Sequence, residues 1–183
     1  MKNHLVMLST CAMMSSCVIN FQVNGIHDGY PTLTENQKSL ILQTEDFSKM
    51  EAGNVYEITG KDLRRELGNR DQSVVNIFVN TCAGDRCYPM QSYFNYQENN
   101  QTDLFLIMCD YFGFDKTMDQ EPEFPLFAIN TQYYAQNKQK KYRRLFLQEL
   151  LGLEKVKEVE PYVNKFLFFQ GDSLVAVKDE IFE

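Results

Sequence analysis

The residues whose types and spacing carry the most chemistry are Cys82 and Cys87, in the run VNTCAGDRCYPM that spans 79–90. Two thiols five positions apart can bond when the residues between them turn back, and Ala83-Gly84 can form such a loop. The chemistry this points to is thiol–disulfide exchange, with Cys82 as the exposed nucleophile and Cys87 as the thiol that resolves a mixed disulfide. Asp85 reads as the N-cap of a following helix. That would set Arg86 and Cys87 in the first turn, where backbone N–H groups and a guanidinium both favour a thiolate. The same pair also reads as an inert staple, or as two buried thiols with no reaction of their own, and both readings stand.

Other reactive side chains offer less. Cys109 ends an apolar run and reads as core. A copper or zinc site would need histidine, and the only two are His4 and His27, so no metal or other cofactor is expected. Asp119, Glu121 and Glu123 alternate in a proline-containing loop and read as surface. Lys138, Lys140, Lys141, Arg143 and Arg144 form a basic run that could touch lipid head groups but reads first as the solvated face of a helix. With a net charge of −7 and a pI near 4.9, the chain has no overall field to gather phosphates, which excludes nucleic acid as the expected partner.

The elements that must position the cysteines follow from periodicity. The chain has 183 residues, 44% of them apolar, enough for one core. Thr34 with Gln37 resembles a capping box and opens a short helix through Leu40, Ile41 and Leu42. Val55 to Ile58 is a strand, Thr59 caps a helix through Leu63 and Leu67, and Gly68 ends it. Val74 to Val79 is almost wholly apolar, as a strand covered on both faces must be, so it is central. A helix from Tyr88 to about Gln97, a strand from Leu104 to Cys109 and a short strand from Leu126 to Ile129 after Pro125 come next. Residues 138–151 form an amphipathic helix with Tyr142, Leu145, Phe146 and Leu150 on one stripe. Lys165 to Phe169, a Gln170-Gly171-Asp172-Ser173 turn and Leu174 to Val177 make a terminal hairpin. The expected class is a three-layer α/β/α sandwich with a mixed sheet and a C-terminal β-hairpin.

The amino terminus reads as an export signal: Lys2, an apolar run from Leu5 to Met14, then Ser15 and Ser16 before Cys17. That run is too short to span a hydrocarbon core. Met14-Ser15-Ser16-Cys17 resembles a relaxed bacterial lipobox, in which Cys17 becomes the lipidated first residue of the mature chain. Leu8-Ser9-Thr10-Cys11 fits the letters of that motif better but leaves a very short leader. The expected organisation is a signal peptide over 1–16, a lipid-anchored tether over 17–33 and a domain over 34–183. The expected location is the cell envelope, on a membrane through the anchor.

The runs VVNIFVNTCAGDRC, LFLIMC, PLFAI and FLFFQGDSLV resemble the thioredoxin superfamily, above all its periplasmic TlpA-like and Sco-type copper-chaperone branches. The resemblance covers roughly residues 54–180. It implies a redox pair at the first turn after the central strand, protein thiols or disulfides as partners, and a cis-proline facing the pair, for which Pro161 and Pro125 are the candidates. This chain has four residues between its cysteines where the standard motif has two. Peroxiredoxin chemistry is disfavoured because position 79 is Val where those enzymes need Thr.

Overall fold

Near-continuous apolar runs make the strands of this protein, and amphipathic segments make the helices that cover them. The computed structural model describes residues 28–43, 46–81, 87–136 and 138–182. In chain order the elements are α1 (Glu35–Ser39), β1 (Ile41–Gln43), β2 (Val55–Ile58), α2 (Gly60–Leu67), β3 (Gln72–Phe78), α3 (Met90–Asn100) and β4 (Asp103–Met108). They continue with α4 (Phe114–Met118), β5 (Leu126–Ile129), α5 (Thr131–Tyr134), α6 (Gln139–Leu151), β6 (Phe166–Gln170) and β7 (Ser173–Lys178).

One seven-stranded sheet runs in the order β1-β2-β5-β4-β3-β6-β7. The strands from β1 to β3 in that order are parallel to one another, whereas β6 runs antiparallel to β3 and pairs with β7 as a hairpin. Parallel strands need both faces covered, and both are. On one face Leu63 and Leu67 of α2 and Tyr142, Phe146 and Leu150 of α6 pack against Val75, Ile107 and Ile129. On the other, Met90 and Tyr93 of α3 and Phe114 of α4 pack against Val74, Leu106 and Leu126. The fold is therefore the expected α/β sandwich with a mixed sheet and a terminal hairpin. Among the described residues no helix is long and apolar enough to cross a membrane.

The amino-terminal part differs from the expectation. The Thr34–Gln37 capping box forms, but its helix stops at Ser39, and Ile41–Gln43 is an edge strand with Ile41 opposite Val55. The Leu40 carbonyl accepts the Val55 N–H at 2.9 Å, so ladder bonds to β2 take the place of a further helical turn. Residues 28–33 also depart from the tether reading. The Asp28 carbonyl accepts the Tyr111 N–H at 2.7 Å, the Tyr30 and Tyr111 rings meet edge to face at 5.5 Å, and Leu33 is buried. The folded unit thus begins by Asp28.

Candidate functional site

β3 delivers the chain to the carboxyl end of the sheet, where the cysteine segment follows. Cys82, Asp85 and Arg86 lie outside the described residues, as do Cys17 and the rest of the expected leader. Cys87 is described and is disulfide-bonded, with a partner outside the described residues. It lines a cleft of about 550 Å³ together with Phe78 and Asn80 at the end of β3, Tyr88, Asn164 before β6 and Lys116 of α4.

The helix after the cysteines begins later than expected. Its N-cap is Pro89, with φ −59° and ψ 150°, so Cys87 precedes the first turn of α3 and does not lie within it. Proline explains the shift, since it pushes the preceding residue toward extended backbone and is best tolerated at a helix entrance. The thiolate-stabilising role assigned to the first helical turn is thereby weakened for Cys87. Every described peptide bond is trans, including those before Pro125 and Pro161. Neither proline takes the cis form that the resemblance implies, and Pro161 lies inside a 3-10 helix over Val156–Tyr162, where its fixed φ suits the turn. The residue that lines the cleft from that side is Asn164, in the left-handed region at φ 59°. Arg143 Nη1 donates to Asn164 Oδ1 at 2.9 Å, so this member of the basic run is half-buried and tied to the cleft rim.

Sequence reasoning missed a set of polar side chains that frame the cysteine segment. Asn80 is buried; its Nδ2 donates to the Asp110 carbonyl at 2.7 Å and its Oδ1 accepts the Thr117 hydroxyl at 2.7 Å. Gln120 Oε1 accepts the Met90 N–H at 3.0 Å. The available signal was an Asn closing an otherwise apolar run just beyond β3, since a buried amide must find partners. Gln120 sits in a loop with no pattern to mark it.

Cys109 is free and buried, and burial pushes its thiol up to about 12, a shift only partly offset by the nearby Arg143 guanidinium. It is an inert thiol, as its place in an apolar run suggested. Asp119, Glu121 and Glu123 are all exposed, as expected.

Asp110 is the perturbed carboxylate near the site. Burial is the largest cause of its raised pKa, Asp28 adds to it, and the Phe112 N–H, Gln139 and Arg143 oppose it. A carboxyl raised on folding contributes stability fully present below its ordinary value of 3.8 and lost as pH rises through its folded value. Urea midpoints of wild type and Asp110→Asn, measured from about pH 3 to about 7, should therefore converge on the acid side and part in favour of the variant above it. Parallel profiles would show that Asp110 does not titrate abnormally.

No protein-family model, curated protein or solved structure matches the chain.

Proposed function

We propose that the protein is a thiol–disulfide redox protein of the cell envelope, anchored to a membrane through lipid on Cys17, with Cys82 and Cys87 as its exchanging pair and no cofactor. The observation that carries this reading is that Cys87 is disulfide-bonded and lines an open cleft at the carboxyl end of the interior strand β3. Open α/β sheets place their chemistry at that end. The order β4-β3-β6-β7, a parallel pair followed by an antiparallel hairpin beside the first strand, supports a thioredoxin-like ancestry. Cys82 would attack a partner disulfide and Cys87 would resolve the product, leaving a Cys82–Cys87 bond and two thiols on the partner.

A second reading is favoured by the start of α3. Because Cys87 stands before the helix, the usual source of thiolate stabilisation is displaced, and a non-catalytic binding lipoprotein with a structural staple fits that geometry. The two readings separate on the reduction potential of the Cys87 disulfide, read by peptide-resolved mass spectrometry of alkylated thiols in the full chain across a glutathione series. A midpoint of roughly −120 to −270 mV is the expected result, and one below about −300 mV would leave the staple.

A further inference from the structure

We propose that the cleft between the end of α3 and the β6–β7 hairpin is a binding site for an uncharged sugar. It lies at the amino end of β3, the opposite end of that strand from the cleft that Cys87 lines, so it stands apart from the exchange reading. Its volume is about 300 Å³, at the small end of ligand clefts. Gln72 and Gln170 stand directly opposite each other across β3 and β6, on the face that carries Phe168, because side chains two apart on a strand share a face. Both are exposed, and neither side-chain amide has a hydrogen-bond partner among the described residues. The Tyr96 hydroxyl has none there either, although its ring is half-buried. Phe168 and Val175, the residue of β7 left unpaired between Leu174 and Ala176, add apolar surface to the lining.

Charge decides the ligand class. None of the described residues that line the cleft is charged, so neither an anion nor a cation finds a counter-charge in its walls. The carboxyl end of α3 borders it at Asn100, and the partial negative charge of a helix C-terminus disfavours a phosphate or carboxylate further. The Lys178 ammonium is held over the Phe168 ring, 5.1 Å from its centre. An amide donates and accepts at once, and so does a hydroxyl, so two amides and a phenol match a ligand whose polar groups are hydroxyls. Phe168 and Val175 match the C–H face of a sugar ring, which gains from apolar cover.

The test follows the side-chain amide NMR signals of Gln72 and Gln170 in the isotope-labelled full chain during titration with maltose, cellobiose and diacetylchitobiose, each to about 50 mM, a range that reaches millimolar affinity. At least one should shift both signals to saturation, and glucuronate should not. Tyr96→Phe keeps the ring, removes one hydrogen bond and should weaken binding at least about threefold. Gln72→Leu combined with Gln170→Leu alters two exposed positions, so the variant should fold, which circular dichroism checks, and its binding should be lost. Three sugars without saturation overturn the proposal. So does glucuronate binding as tightly as the neutral sugars, or an affinity unchanged in the double variant, which would put the sugar elsewhere. Saturation by an end-blocked alanine tripeptide and by none of the sugars would assign the cleft to peptides and overturn it as well.

Discussion

Replacing Gly60 by alanine is expected to lower the unfolding free energy by about 3 kcal/mol, the upper end of what overpacking costs. Gly60 is the first residue of α2, and a β-carbon there would stand 2.1 Å from the Phe146 carbonyl oxygen and 2.9 Å from the Leu150 nitrogen, both in the backbone of α6. Backbone cannot rotate away as a side-chain tip can, so α2 and α6 would have to part. Parting them loosens Leu63 and Leu67 from Leu147 and Leu150, all fully buried or nearly so. It would also disturb the bond from the Gly60 N–H to the Tyr134 hydroxyl at 2.8 Å, which in turn donates to Glu149 Oε2 at 2.7 Å. Gly171→Ala is the control. That glycine has φ +57° but nothing within 4 Å, so the substitution should cost only about 1 kcal/mol of left-handed strain. Urea unfolding of the three proteins gives the comparison; equal midpoints for Gly60→Ala and wild type would mean that the helices are not in contact at this point.

Tyr142→Ala should cost about 3 to 5 kcal/mol, and Tyr142→Phe only about 1. The ring is fully buried between α6 and the sheet, so truncation leaves a cavity that the surrounding strands are too rigid to fill. The hydroxyl is a separate contribution. It donates to the Cys109 carbonyl at 2.8 Å, and that residue's N–H is bound to the Phe78 carbonyl at 2.8 Å, so the tyrosine steadies the end of β4 beside the end of β3. Phe keeps the volume and loses only the hydrogen bond. If urea unfolding gave the Phe variant a loss as large as the Ala variant, the polar contact and not the packing would dominate at this position.

The framework was legible in the sequence wherever pattern alone decides structure. Val55–Ile58 and Leu126–Ile129 are strands with the expected limits, and Val74–Phe78 of the VVNIFV run lies in an interior strand because its apolar residues on both faces need cover. Pattern failed where a long-range contact outvotes a local one. Ile41 and Leu42 continue a helical stripe on paper, yet Val55 recruits Ile41 into a ladder. Asp85 carries the usual N-cap chemistry, yet Pro89 sets the start of α3 four residues further on. At the site, Cys87 could be named from spacing and Asn80 as an amide directly after an apolar run. Asn164 and Gln120 could not, because each lies in a loop that the fold brings to the cleft from a distant part of the chain, and nothing local in its neighbours records that meeting.

The clasp at Asp28 also fixes a direction. Its carbonyl meets Tyr111 just beyond β4 and its carboxylate accepts the Thr131 hydroxyl just beyond β5, so the chain enters the domain at the same end of the sheet that bears the cleft. With an anchor at Cys17, eleven residues form the leash to Asp28, which reaches at most about 38 Å when fully drawn out. On the proposed lipid-anchored reading, attachment at that rim would bring the cleft to the side of the domain that meets the bilayer. Its reachable partners would then be found among proteins embedded in or lying on the same membrane, and freely diffusing ones would have to approach from the side.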